Sequence, residues 1–151
     1  MKWVMFIVEL PRMKTTAFKV AMWRKLKRLG VYSVQDSVYI LPHSERTLES
    51  FEWLASEVRE MGGDASVWEV EALTPSSEKE MKDYFLDQVN AEYRQLIGKA
   101  ATARNEKQLK DLWTKYHRMK LQDYMKSPLA VEARAACERK ARELRKKEEN
   151  R

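Results

Sequence analysis

Two hydrophobic periods alternate along residues 3–73, and this alternation constrains the fold more than any other feature of the chain. The apolar run from Trp3 to Leu10 ends at Pro11 and predicts a central strand that is covered on both faces. Thr15 is predicted to cap the helix that follows, and Gly30 to end it in the left-handed conformation. The apolar stripe of this helix is Phe18, Met22, Leu26 and Leu29.

The same plan then repeats. VYSVQ and SVYIL are rich in β-branched and aromatic residues and predict two strands that meet at Gln35-Asp36. Ser44 is predicted to cap a second helix, Gly62-Gly63 to end it, and ASVWEVEAL to form the last strand. The resulting order, βαββαβ, predicts an α+β fold of the ferredoxin-like type, in which two helices cover one face of a four-stranded antiparallel sheet.

Both sides of the first strand are apolar, although this fold leaves one face of its sheet without helices. Val4, Phe6 and Val8 alternate with Trp3, Met5 and Ile7. The second face therefore needs a cover, either from later helices of the chain or from a partner subunit. A homodimer is the expected assembly.

Residues 76–151 predict an all-helical region of about three helices after the module of residues 1–75. Ser77 with Glu80 forms a predicted capping box for the first of these helices. A second helix carries Leu109, Leu112, Trp113, Tyr116 and Tyr124. Ser127-Pro128 predicts the start of a third, which is expected to fade into the charged tail RELRKKEENR.

The net charge of +6 arises entirely in the second half of the chain. Residues 1–75 carry ten basic and ten acidic side chains, whereas residues 76–151 carry nineteen basic and thirteen acidic ones. Such an excess favours binding of polyanions or oxyanions, and the alternative is an ordinary solvated helical face.

A single cysteine excludes an internal disulfide. With only two histidines beside it, the chain has no cluster of ligands spaced for zinc, so no metal or other cofactor is expected. The N-terminal apolar run is too short to span a membrane and has no cleavage site of a signal peptide, so we expect a cytoplasmic protein without membrane association.

A set of motifs along the chain resembles the chromate-resistance regulators of the ChrB family. The first motifs are LPR at 10–12, VAMWRKLKRLG at 20–30 and VQDSVYILP at 34–42. The resemblance continues through FEWLASEVREMGGDASVWEVEAL at 51–73 and, more weakly, through EYRQLIGKA at 92–100 and the helical segment of residues 109–146. It covers almost the whole chain.

The resemblance implies a non-enzymatic transcriptional regulator of chromate resistance that binds operator DNA as a dimer and responds to chromate. Members of this family commonly continue into a further C-terminal domain. Two alternatives stay open: an accessory chromate-resistance or oxyanion-binding protein that does not bind DNA, and a metal-dependent nuclease with a ferredoxin-like fold.

Two groups of basic residues are candidates for DNA binding. The first lies opposite the apolar stripe of the first helix, and the second lies on the second-half helices, where lysine and arginine alternate with aromatic residues. The candidates are Arg24, Lys27, Arg28, Lys110, Lys115, Arg118 and Lys120. Trp113 and Tyr116 are predicted to be core residues.

Chromate is a sulfate-like dianion, and cationic side chains are the groups that would bind it. The candidates for oxyanion binding are Arg94, Arg104, His117 and Arg118.

Three further features have alternative interpretations. Glu9 ends the first strand, where related nucleases carry an aspartate, but the sequence shows no second carboxylate on that strand, so we predict that it is not catalytic. Cys137 falls on the apolar stripe of the third C-terminal helix and is predicted to be a buried structural thiol. Trp3, Tyr39 and Trp68 on the sheet would permit base stacking as in RNA-recognition domains, although SVYILP lacks their glycine-aromatic signature.

Overall fold

The computed structural model describes residues 1–12 and 16–151, which form an α+β structure. Its strands are β1 (Trp3–Glu9), β2 (Tyr32–Gln35), β3 (Val38–Pro42) and β4 (Asp64–Val70). Its helices are α1 (Thr16–Leu29), α2 (Glu45–Glu60), α3 (Pro75–Thr102), α4 (Glu106–Gln122) and α5 (Leu129–Glu149). The chain divides within α3 into two compact units, Met1–Met81 and Lys82–Arg151. The boundary expected from the sequence, after residue 75, falls at the start of α3.

The first unit contains one sheet with the strand order β2-β3-β1-β4, and each neighbouring pair is antiparallel. The described residues predicted from the sequence to begin or end α1 and α2 do so in the structure. Gly30 has a φ of 74° after α1, and Gly62 has a φ of 88° after α2. Ser44 accepts a hydrogen bond from the backbone N–H of Thr47 and caps α2. The predicted cap of α1, Thr15, lies outside the described residues.

The two faces of the sheet have different surroundings. Val4 and Phe6 are fully buried on one face, where Phe6 stacks on Phe51 of α2 with ring centroids 5.3 Å apart. On the other face Trp3 is buried and Met5 is half-buried, whereas Trp68, opposite Met5, is 53% exposed. The predicted second apolar face therefore exists, and part of it is accessible to solvent.

The start of α3 differs from the predicted capping box of Ser77 and Glu80. The Thr74 side chain accepts a hydrogen bond from the backbone N–H of Ser77, and Pro75 is the first residue of the helix. A hydroxyl followed by proline is a stronger start signal, because proline has the φ of a first helical turn and needs no N–H donor there. Glu80 instead accepts a hydrogen bond from the Tyr32 hydroxyl at 3.5 Å.

The second unit has an apolar core to which α3, α4 and α5 all contribute. Its largest buried side chains include Tyr93, Leu96 and Tyr116. Cys137 is fully buried among them, as predicted from its position on the α5 stripe. The prediction of a frayed tail is wrong: α5 continues to Glu149, because Leu144 still packs into the core near its end.

Candidate functional site

Helix α4 begins with a pair of reciprocal side-chain-to-backbone hydrogen bonds. The Asn105 side chain accepts a hydrogen bond from the Gln108 backbone N–H at 2.9 Å, and the Gln108 side chain accepts one from the Arg104 backbone N–H at 2.7 Å. Leu109, Leu112, Tyr116 and Met119 then enter the core. This core stripe leaves the opposite side of α4 exposed to solvent.

That side of α4 carries a row of cationic and polar side chains, which we call the α4 ridge: Lys107, Lys110, His117 and Arg118. All four are exposed, and their spacing of three, seven and one residues places them within one sector of the helix surface. The His117 ring stacks on Trp113, with ring centroids 5.8 Å apart. This contact fixes the imidazole at the edge of the ridge.

Two other lysines of α4 lie off the ridge. The Lys115 ammonium contacts Glu92 of α3 at 3.0 Å and donates a hydrogen bond to Gln95 at 2.8 Å, and its side chain is only 19% exposed. Lys115 thus joins α3 to α4 and has little capacity left for an external anion. Lys120 is exposed, but at about 100° per residue it lies about 160° around the helix from Arg118.

The four residues expected to bind an oxyanion do not form one cluster. His117 and Arg118 are adjacent on α4, but Arg104 precedes this helix, whose first residue, Glu106, already lies about 16 Å before His117 at about 1.5 Å per residue. Arg94 is exposed on α3. It follows Glu92 by two residues, or about 200° of rotation, and so points away from the side that contacts Lys115. A single small anion cannot reach all four.

Arg104 instead lines a cleft with residues that the sequence pattern did not single out. We call it the terminal cleft; its cationic residues are Arg104, Lys107, Lys147 and Arg151. Glu106 and Glu148 also line it, so its formal charge is +2. The signal in the sequence was the spacing at the end of α5, where Lys147 and Glu148 follow the core residue Leu144 by three and four residues and therefore lie beside it.

The cationic residues of α1 form a separate exposed group in the first unit. Arg24, Lys27 and Arg28 are all exposed, as the helical wheel predicts, and only Met22 and Leu26 of α1 are buried. Lys25 of the same helix contacts Glu57 of α2 at 2.7 Å. The α1 cations therefore offer a second positive surface.

The structure places a carboxylate beside Glu9 that the sequence did not reveal. Glu9 pairs with Asp64 across β1 and β4, and both side chains are exposed. Within residues 1–12 and 16–151, no group of three or more metal-ligating side chains converges. Two exposed carboxylates are fewer than the convergent oxygen ligands that a two-metal nuclease requires.

The three sheet aromatics that suggested base stacking lie on different faces. Tyr39 pairs with Phe6 on the helix-covered face, with ring centroids 6.3 Å apart, whereas Trp3 and Trp68 lie on the other face. Trp3 is also fully buried. A stacking surface made of all three is therefore absent.

Cys137 has the properties of a structural thiol. Burial, with a smaller contribution from Glu138, raises the pKa of its thiol above the ordinary value. A raised thiol pKa lowers the thiolate fraction at neutral pH, and with it the reactivity toward oxidants.

No helix in the described part of the chain is long and apolar enough to cross a membrane.

Comparison with known proteins finds similarity across both units. The chain is 26% identical over 103 residues to Protein ChrB of Cupriavidus metallidurans (strain CH34), a match that covers 68% of this chain and 31% of that protein. The chain thus spans about a third of the length of this relative. An uncharacterized protein of Mycobacterium tuberculosis, Rv0674, has a similar structure with a TM-score of 0.60. That match covers 96% of this chain and 61% of the other, at 17% identity, and shows likeness of fold.

The family comparison covers three of the four strands, α2, α3 and the start of α4. Residues 19–108 match the family described as Protein ChrB, N-terminal, which is more than half of the chain. The matched segment contains most of α1, the strands β2, β3 and β4, and two of the cationic residues of the terminal cleft, Arg104 and Lys107. The chain belongs to the family of the ChrB N-terminal region.

Proposed function

We propose that this chain is a non-enzymatic transcriptional regulator of chromate resistance, which acts in the cytoplasm and binds operator DNA as a homodimer. The observation that supports the proposal most is the α4 ridge with the adjacent terminal cleft. Residues 82–151 carry eighteen basic and eleven acidic side chains, and the cations of the ridge are exposed in one row. Such a row can follow the phosphates of a DNA backbone.

The first unit would then be a ferredoxin-like module with a supporting role. Its strand order and its βαββαβ element order agree with that fold. Family membership and the similarity to Protein ChrB support the role in chromate resistance. Because Cys137 is buried and its pKa is raised, we propose that the response to chromate depends on binding of the dianion and not on oxidation of this thiol.

A gel-shift assay on the DNA upstream of the protein's own gene tests this function. The protein should retard this fragment more strongly than a fragment of the same length from within a coding sequence. Chromate should reduce the retardation at a concentration where sulfate, a dianion of similar shape, does not. Equal retardation of both fragments, with no effect of chromate, would reject the regulatory role.

A second function is supported by the terminal cleft alone. Four cationic side chains around one cleft suit a doubly charged oxyanion, so an accessory oxyanion-binding protein without DNA affinity is the alternative. Titration of the protein with chromate should then show binding that Arg104→Ala with Lys147→Ala weakens. The control pair Arg134→Ala with Arg142→Ala removes the same charge from exposed positions elsewhere on α5.

A further inference from the structure

We propose that helices α1 and α2 form a self-complementary surface on which two copies of this chain pair, with α1 of each copy against α2 of the other. The inference names a surface for the dimer proposed above and rests on that proposal for the dimeric state alone.

All the charged residues on the α1 side of this surface are positive. The helix carries five lysine or arginine residues and no acidic residue. Arg24 and Lys27 point away from the buried residues Met22 and Leu26, and both are exposed. Val20, on the same outward sector, is 41% exposed. The solvent side of α1 is therefore a cationic surface with an apolar residue within it.

The α2 side has the opposite charge. This helix carries five glutamates against two arginines, so its net charge is −3. Glu49 and Glu60 lie on the outward sector, opposite the buried residues Phe51 and Val58. Trp53 lies between them, is 65% exposed, and donates a hydrogen bond to Glu49 at 3.5 Å.

The two helices are neighbours, so both charges belong to one surface. The Lys25 ammonium on α1 contacts the Glu57 carboxylate on α2 at 2.7 Å. A shallow groove between the helices is lined by residues of both, including Leu29 on the α1 side and Trp53 on the α2 side. The surface thus has a positive half, a negative half and, between them, a groove that holds the Lys25–Glu57 ion pair beside the apolar Leu29 and Trp53.

Symmetry and charge together select one arrangement of two such surfaces. A two-fold axis that runs between the helices and parallel to them places α1 on the partner's α2 twice, so that each +5 helix faces a −3 helix. An axis perpendicular to the helices would place α1 on α1 and α2 on α2, which juxtaposes like charges. Pairing along the parallel axis would also cover Trp53, an aromatic residue of the kind enriched at interface centres.

Charge reversal tests this pairing by sedimentation equilibrium. The first variant, Arg24→Glu with Lys27→Glu, makes the outward sides of both helices acidic; the second, Glu49→Lys with Glu60→Lys, makes both basic. Each variant alone should dissociate about 100-fold more readily than the natural chain. An equimolar mixture should form a heterodimer, because each acidic helix then faces a basic one. Combining all four substitutions in one chain should restore the homodimer.

The control is Arg104→Glu with Lys107→Glu, which reverses two charges in the second unit and should leave the dimer unchanged. All substituted positions are exposed, and circular dichroism will show whether the variants keep their helical content. A natural chain that is monomeric at tens of micromolar would overturn the proposal. So would variants that remain dimeric alone, or a mixture that remains monomeric. Loss of DNA binding in the first variant with an unchanged dimer would assign the α1 cations to DNA instead.

Discussion

At the scale of single residues, two glycines of this chain have opposite environments. Gly63 follows α2, where a Cβ atom would lie 2.7 Å from the carbonyl oxygen of Glu9 and 2.8 Å from a methyl group of Val58. Gly98 lies inside α3, and a Cβ atom there would meet nothing within 4 Å. The first glycine is required by close packing of the backbone, whereas the second only lowers helix stability.

We therefore predict opposite effects of the same substitution at these two positions. Gly63→Ala should lower the free energy of unfolding by about 1–3 kcal/mol, since backbone and side chain must shift to make room. Gly98→Ala should raise it by about 0.5–1 kcal/mol, because alanine is the better helix former. Urea denaturation of the two variants beside the natural chain measures both effects. An unchanged free energy of unfolding in Gly63→Ala would show that the backbone around Glu9 shifts readily to accommodate an added methyl group.

Cys137 gives a second prediction at this scale. Because the thiol is fully buried and its pKa is raised, a disulfide reagent should modify it roughly 100-fold more slowly in the native protein than in urea. Leu144→Ala, which opens the neighbouring core, should accelerate the native reaction. Rapid modification of the native chain by the reagent or by chromate would contradict the structural role assigned to this residue.

At the scale of elements, a buried polar network holds the connection between α4 and α5. The Asp123 carboxylate accepts hydrogen bonds from the Tyr93 hydroxyl at 3.1 Å and from the backbone N–H of Ser127 at 2.8 Å. The Ser127 hydroxyl is hydrogen-bonded to Asn90 and accepts the N–H of Leu129, the first residue of α5. The network links α3 to both ends of the connection and explains why polar side chains occur in this core.

Tyr93→Phe should destabilise the second unit by about 1–3 kcal/mol, because it leaves the buried Asp123 carboxylate without one donor. A pH effect should accompany this loss. Burial, followed by the Asp123 charge, raises the pKa of Tyr93 above its ordinary value of 10.0. The unfolded chain releases the phenolic proton near pH 10 while the folded chain retains it, so this contribution to stability is complete below pH 10 and falls as the pH rises above it.

Thermal unfolding of both proteins between pH 8 and pH 11 measures these effects. The natural chain should lose more stability over the alkaline part of this range than Tyr93→Phe does. Parallel curves for the two proteins would contradict the assignment of a buried, neutral phenol to Tyr93.

The elements also show why sequence reasoning succeeded in some places and failed in others. Ser44, Gly30 and Gly62 act within a few residues of their own position, so their roles could be read locally. The start of α3 was misplaced because two adjacent cap signals compete there, and only the fold brings Glu80 to Tyr32. Asp64 beside Glu9, and Lys147 beside Arg104, are distant in sequence and meet through sheet register and helix packing, which no local pattern encodes.

At the scale of the whole molecule, the proposed functions divide the charge of the chain between the two units. The α1 and α2 helices of the first unit carry opposite charges suited to self-association, whereas the second unit carries a net charge of +7 suited to phosphates. Composition alone could locate the excess of positive charge in the second half of the chain. It could not distinguish Lys115, which is held by Glu92, from Lys110 and Arg118, which are exposed.

The salt dependence of DNA binding tests the proposed role of the α4 ridge most directly. Fluorescence anisotropy at a series of salt concentrations gives the slope of log K against log salt, whose magnitude falls by about 0.9 for each phosphate that the protein no longer neutralises. Lys110→Ala with Arg118→Ala should weaken binding and reduce the magnitude of the slope by about 2, whereas Lys115→Ala should leave the slope unchanged. An unaltered slope in the double variant, or an equal reduction in Lys115→Ala, would contradict the assignment of DNA binding to the α4 ridge.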